Sequence, residues 1–176
     1  MGATLIEVAA MSVALVFLVA GVEKALQFTS FVDGLAQWGV SGASTQRAVG
    51  AIIVCVELFV PAAVFAGATR AGLAAAAAML AVLSVLAARS VANGSSHPCM
   101  CLSVSASPQV SATTLARNAG LFMLAVLALT YGGEFVFPLP VIIAASSAVS
   151  ALLLWENMRA LRERMDRLTG STAGAS

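Results

Sequence analysis

The chain has 176 residues, of which 60% are hydrophobic and only 10% are charged. A soluble domain carries roughly 25% charged residues, so these charges are too few to cover a water-exposed surface. The net charge of +1 and the sparse aromatic residues also do not form the basic, aromatic-rich pattern of a nucleic-acid-binding surface. Composition therefore excludes a soluble globular domain and a nucleic-acid partner. It predicts an all-α, polytopic membrane protein in contact with lipid.

Five apolar stretches approach the length of about 20 residues that a helix needs to cross a bilayer. The first stretch has no basic N-terminal region and contains Glu7, so we interpret it as a retained helix rather than a cleaved signal. The pattern predicts a single transmembrane domain over residues 1–155, a helical bundle of about five spans. The predicted spans are residues 4–20, 48–66, 71–88, 119–131 and 136–155.

Residues 27–39, between the first two spans, carry apolar side chains at helical spacing, among them Phe28, Phe31, Leu35 and Trp38. This spacing has two interpretations. The segment is an amphipathic helix lying in the membrane interface, or it is a connection that packs its apolar face on the bundle.

The C-terminal residues 156–176 form the most highly charged part of the chain. Acidic and basic residues alternate in the first part of this tail, which predicts a solvated helical extension of the last span. The final residues are small and polar and are predicted to be disordered.

The distribution of Lys and Arg predicts the orientation of the chain in the membrane. With five spans and the C-terminus inside, eight basic residues are cytoplasmic and Arg70 is outside. This predicts an N-terminus outside a bacterial plasma membrane and a cytoplasmic loop at residues 89–114. The cytoplasmic set is Lys24, Arg47, Arg89, Arg117, Arg159, Arg162, Arg164 and Arg167.

The loop at residues 89–114 contains the sequence His97-Pro98-Cys99-Met100-Cys101. Two cysteines one residue apart in a polar loop are not explained by packing, because structural cysteines prefer buried sites. Three interpretations stay open: a redox pair, a soft-metal site, and a pair without chemistry or a site of lipidation.

As a redox pair, Cys99 and Cys101 would close a small, strained ring. Strained disulfides exchange readily, and a protonated His97 favours a neighbouring thiolate. As a metal site, the two thiolates with His97 and Met100 would suit copper(I), and less well zinc.

Polar residues inside or beside the spans are the other candidates. Glu57 lies within the second span, where an ionisable side chain costs at least ~2.5 kcal/mol. The alternatives for Glu57 are a protonated carboxyl, neutralisation by Arg117 or Lys24, a bound quinone or proton, and a structural hydrogen bond between helices. In the redox interpretation, Glu57 and Arg117 form the polar interior beside the cysteines. Asn118 lies beside Arg117 at the start of the fourth span. Cys55 is either a small packing residue or a third thiol that relays electrons to the loop.

Several of these positions resemble the MauE family, within the broader DoxX-like membrane proteins. The first span ends in Gly-Val-Glu-Lys-Ala at residues 21–25, and the second span carries Glu57. Cys99-Met100-Cys101-Leu102 is followed by Arg117-Asn118 at the start of an apolar helix, which is similar to the Cys-Gly-Cys-Phe-Gly loop and the later Arg-Asn of MauE-type proteins. Met100 stands where that family usually has Gly.

The resemblance implies a DoxX-like core of four helices plus one more span. It also implies thiol–disulfide exchange or electron supply for maturing exported proteins of the methylamine dehydrogenase type, with a thioredoxin-like partner. No bound organic cofactor is required. The alternatives are a non-enzymatic assembly subunit that binds a partner or a quinone, and a membrane protein that handles copper or zinc.

One conflict concerns the side of the membrane that carries the cysteines. Exported clients require thiols reachable from outside, whereas the charge distribution places the loop inside. Either the loop enters the bundle and is reached from both faces, or the number of spans differs by one.

Overall fold

The computed structural model describes residues 2–92, 112–131, 140–147 and 149–151, together with Met158. Within this part of the chain every regular element is helical, which confirms the all-α class. The elements are α1 (Gly2–Leu26), α2 (Phe28–Gly34), a 3-10 helix (Leu35–Trp38), α3 (Ala43–Phe65), α4 (Thr69–Ala92) and α5 (Ala112–Tyr131). A shorter apolar helix covers Pro140–Ala151.

Three of these helices are long and apolar enough to cross a membrane: Leu5–Leu26, Ala43–Phe65 and Thr69–Arg89. Leu115–Tyr131 and Pro140–Ala151 are apolar but shorter. At a rise of about 1.5 Å per residue, some 20 residues are needed to cross the hydrocarbon core. The chain is therefore a helical membrane protein, and the number of five spans stays a prediction.

The segment after α1 is a short helix that packs on the bundle. Gln27 leaves the helical conformation, with φ −112° and ψ 34°. The backbone N–H of Gln27 still donates to the carbonyl of Glu23, and the N–H of Phe31 donates to the carbonyl of Gln27, at 3.0 Å each. Helix α2 thus follows α1 after one distorted residue. Its buried Phe31 packs against Val54 of α3, so the segment is helical and also packs its apolar face on the bundle.

Small residues let the helices approach closely. A Cβ added to Gly72 of α4 would lie 2.9 Å from the backbone oxygen of Val60 in α3. A Cβ added to Gly21 of α1 would lie 2.9 Å from the Leu58 side chain in α3. Close contact between backbones compensates for the weak hydrophobic force between helices in lipid.

The main core lies between α1, α4 and α5. Its fully buried members include Ala10, Leu73 and Ala125. The helix Pro140–Ala151 packs against α1 through Val141 and Ala145. Side chains such as Ile52, Phe59 and Val82 are exposed on the outer surface of the bundle, which suits contact with lipid acyl chains.

The order of the helices places several helix ends together. The short segment 27–42 connects the end of α1 to the start of α3. Helix α4 follows α3 after the tight turn at residues 66–68 and packs on it. It runs back toward the start of α3. The loop with Cys99 and Cys101 leaves from the end of α4 and leads into α5. It therefore starts from the end of the bundle where α1 finishes.

Candidate functional site

The four loop residues predicted for redox chemistry or metal binding, His97, Cys99, Met100 and Cys101, lie outside the described residues. Both roles therefore stay predictions. Within the described ranges there is no group of three or more His, Cys, Asp or Glu side chains that could hold a metal ion. The site built by the described residues is instead the polar centre inside the bundle.

The polar centre is built on an ion pair between α1 and α3. The ammonium Nζ of Lys24 donates to Oε1 of Glu57 at 2.6 Å. Each side chain is only 2% exposed. Of the two basic partners predicted for Glu57, the structure pairs it with Lys24. The pairing neutralises two charges that would each be costly alone inside the bilayer.

Local sequence explains why this pair forms at this point. Lys24 occupies the last turn of α1, and Gly21 lies one turn earlier on the same face. A Cβ at Gly21 would meet the Cβ of Glu57 at 3.1 Å. The absence of a side chain at Gly21 therefore lets α1 lie close to α3, within reach of the carboxylate.

Helix α2 contributes an aromatic ring to the same centre. Lys24 Nζ lies 5.8 Å from the centroid of the Phe31 ring, within the range of a cation–π interaction. Phe31 is itself buried. The lysine thus links the distorted segment after α1 to the core of the bundle.

Pro61 marks an irregularity in the backbone of α3 close to Glu57. Proline has no N–H, so the carbonyl of Glu57 lacks the hydrogen bond it would normally accept from residue 61. Helix α3 nevertheless continues from Ala43 to Phe65 with Pro61 inside it. The charged side chain and the freed carbonyl belong to the same residue, which concentrates polarity at one level of the helix.

Asn118 adds a second polar residue, from α5. It is 1% exposed, and its amide nitrogen Nδ2 has no hydrogen-bond partner among the described residues. The second carboxylate oxygen of Glu57, Oε2, also has none. Glu57 and Asn118 both line a small cavity of about 10 Å³, which is close to the space that one water molecule needs. The carboxylate oxygen of Glu57 is an acceptor and the amide nitrogen of Asn118 is a donor, so a single water molecule would form a hydrogen bond with each of them.

Arg117, the neighbour of Asn118, is half-buried. The structure therefore brings Lys24, Glu57 and Asn118 to one centre, and it places Arg117 in the second turn of α5, next to Asn118 in the chain.

A larger cavity of about 210 Å³ lies between the segment after α1, α3 and α4. Lys24 and Glu57 are its charged members, and its other wall residues are apolar or aromatic. This cavity is not apparent from the sequence, because the apolar residues that line it on α4 are of the same types as those that face lipid. The lining consists of Lys24, Phe31, Leu35, Trp38, Val40, Val49, Ile53, Glu57, Met79, Leu83 and Leu86.

Cys55 is exposed on the outer surface of α3. It precedes Glu57 by two residues, and two residues of an α-helix correspond to about 200° of rotation. The thiol and the buried carboxylate therefore lie on nearly opposite faces of α3. This exposed position is not that of a packed core residue, and the relay role stays a prediction.

Comparison with known proteins adds the family. No curated protein and no solved structure matches the chain. The family model described as "Methylamine utilisation protein MauE" matches residues 2–131. That range covers α1 to α5, the polar centre and the cysteine loop. The chain therefore belongs to the MauE family.

Proposed function

We propose that this membrane protein carries out thiol–disulfide exchange, with Cys99 and Cys101 as the exchanging pair. The observation that supports the proposal is the position of the cysteine loop between two helices that reach the polar centre. Leu83 of α4 and Asn118 of α5 line one cavity with Glu57, and the loop joins these two helices. The loop is thus connected on both sides to helices that line this cavity, and a strained Cys-x-Cys disulfide is suited to exchange.

The exchange is balanced in electrons and protons. A thiolate of the Cys99–Cys101 pair attacks a disulfide of the partner, forms a mixed disulfide and releases one partner thiol. The second cysteine then attacks the mixed disulfide and releases the second partner thiol. Two electrons and two protons pass to the partner, and the loop retains the Cys99–Cys101 disulfide. In this scheme His97 favours the attacking thiolate.

The proposed partners are a thioredoxin-like protein and an exported client. A thioredoxin-like dithiol returns two electrons and two protons to the loop disulfide and regenerates the pair. Membership of the MauE family supports a client of the methylamine dehydrogenase type. We further propose a bacterial plasma membrane location with the N-terminus outside and the C-terminus in the cytoplasm.

The polar centre supports the exchange without taking part in the bond changes. The Lys24–Glu57 ion pair joins α1 to α3, and Asn118 lies at the same level on α5. The scheme therefore assigns Lys24, Glu57 and Asn118 a structural role, which is to fix α1 and α3 beside α5, one of the two helices that carry the loop.

The test uses single cysteine variants in membranes. Cys101→Ser removes the thiol that resolves the mixed disulfide, so the adduct of Cys99 with the partner should accumulate on non-reducing gels and be identified by mass spectrometry. Cys99→Ser is the matched control and should accumulate less adduct. If both variants match the unmodified protein in adduct formation and in redox state, the proposal is wrong.

A second candidate function is that of an assembly subunit that binds a partner helix and performs no exchange. The buried ion pair favours it, because this pair stabilises a polar centre that requires no thiol. In that case a partner would co-purify with the Cys99→Ser/Cys101→Ser double variant as well as with the unmodified protein.

A further inference from the structure

We propose that the 210 Å³ cavity binds the head ring of a membrane quinone or of its quinol, with the isoprenoid chain directed into the lipid. This function goes beyond thiol exchange and uses no cysteine. It is carried by the size of the cavity, its opening, the charges at its polar end and its aromatic wall.

Size is the first argument. An apolar cavity of about 150 Å³ is large enough to bind benzene. At about 210 Å³, this cavity accommodates one substituted ring but not a folded isoprenoid chain. The chain must therefore leave the cavity. Leu86 lines the cavity and is 40% exposed on the outer surface of the bundle, so the wall reaches the face that contacts lipid.

The polar end of the cavity favours a neutral head. Lys24 and Glu57 neutralise each other at 2.6 Å, so a charged lipid headgroup would bring an uncompensated charge into a low-dielectric site. A saturated acyl chain has no group that can hydrogen-bond at the polar end. A quinol hydroxyl can donate to the carboxylate of Glu57, which lines this cavity together with Lys24. In the oxidised form, the nearby ammonium attracts the partial negative charge of a ring carbonyl.

The aromatic side chains favour a flat ring. Phe31 and Trp38 both line the cavity, and aromatic groups prefer offset-stacked or edge-to-face contact. Trp38 is half-buried at the end of the 3-10 helix, where its indole can contact a ring that enters from the membrane. Phe31 already lies against Lys24, so the ring site and the polar end are contiguous.

The test follows fluorescence of Trp38 as a quinone binds. Trp155→Phe leaves Trp38 as the sole tryptophan, since the chain has two. The purified full-length protein is placed in phosphatidylcholine nanodiscs and titrated with a benzoquinone that carries a decyl chain. We expect saturable quenching of Trp38. Decylbenzene, which lacks the ring oxygens, should compete at least tenfold less well.

Two neighbouring isoleucines of α3 provide matched variants. Ile53 lines the cavity, whereas Ile52 is 63% exposed. Ile53→Phe fills part of the cavity and should raise the apparent Kd for the quinone at least tenfold. Ile52→Phe should leave it unchanged. Met79→Phe fills the cavity from α4 and replaces Ile53→Phe if that variant does not yield monodisperse protein.

Quenching that rises without saturation, or that is equal in the Ile53→Phe and Ile52→Phe proteins, would mean that the quinone only dissolves in the lipid. Either result overturns the proposal, as does equal competition by decylbenzene. The Cys99→Ser/Cys101→Ser protein should bind the quinone as the unmodified protein does. Quinone binding without any trapped partner disulfide would therefore refute thiol exchange and leave the quinone site standing.

Discussion

Lys24 and Glu57 are 33 residues apart in the chain, yet their side chains form a salt bridge of 2.6 Å in which each is 2% exposed. They come from the last turn of one membrane helix and the interior of another. Their contact joins α1 to α3, and it forms the polar end of the cavity.

We predict that removing either partner destabilises the protein much more than removing both. Lys24→Met or Glu57→Leu alone leaves a buried group without its counter-charge, at a cost of about 3–5 kcal/mol. The double variant replaces the pair by apolar side chains and should recover most of that loss. Thermal unfolding in detergent measures all four proteins. A double variant as unstable as the sum of the two single variants would show that the two residues do not act as a pair.

We predict that Gly72→Ala separates α4 from α3. The added methyl would lie 2.9 Å from the backbone oxygen of Val60 and 3.0 Å from a methyl of Val64. Because a backbone atom cannot move away at low cost, the change should destabilise the protein by about 1–3 kcal/mol. Alanine is otherwise favoured over glycine in a helix by about 1 kcal/mol.

The control for this packing prediction is Gly120→Ala in α5, where an added Cβ meets none of the described residues within 4 Å. This variant should be neutral or slightly stabilised in the same unfolding measurement. Equal effects of the two substitutions would contradict the close contact of α4 with α3.

We predict that Cys55→Ala changes neither stability nor thiol exchange. Cys55 is exposed, and substitutions at exposed positions usually stay within about 0.5 kcal/mol. The position of its thiol, on the face of α3 turned away from Glu57, also argues against a relay to the loop. The rate at which a thioredoxin-like dithiol reduces the protein measures this directly. A slower rate in the Cys55→Ala protein would instead support the relay.

We predict that the start of α3 and the ends of α1 and α4 face the cytoplasm. Arg47 and Arg89 lie toward this end of the bundle, whereas Arg70 lies at the opposite end of α4. Positive residues accumulate on the cytoplasmic side. An impermeant maleimide should therefore fail to label Cys99 and Cys101 in intact cells, while a permeant one labels them after reduction. Labelling by the impermeant reagent would reverse the orientation.

The sequence predicted the class of the fold because composition and the length of apolar segments indicate that the helices lie in lipid. This holds for any arrangement of the helices. It also singled out Glu57, since a carboxyl group in a span is unusual in any arrangement. It left the partner open between Lys24 and Arg117, because the sequence does not show which helix end lies beside Glu57. The choice of Lys24 depends on the contact between α1 and α3 at Gly21, which joins residues far apart in the chain.

The cavity was not predictable from the sequence. Met79 and Leu83 line it, whereas Val82 of the same helix is exposed, and all three are ordinary apolar residues in an apolar helix. In a soluble protein, polar side chains mark the outer face of a helix, but in a membrane both faces are apolar. The pattern of hydrophobic residues therefore does not separate core, cavity and lipid surface.

By itself, the sequence determined that this chain is a helical membrane protein, that it carries closely spaced cysteines, and that it buries a charge. Only the tertiary structure decided which basic residue neutralises that charge and which apolar residues enclose a space beside it. The physical reason is that the free energy of transfer into lipid is a sum of contributions from single residues. Ion pairing and cavity formation instead require side chains from several helices to meet at one point.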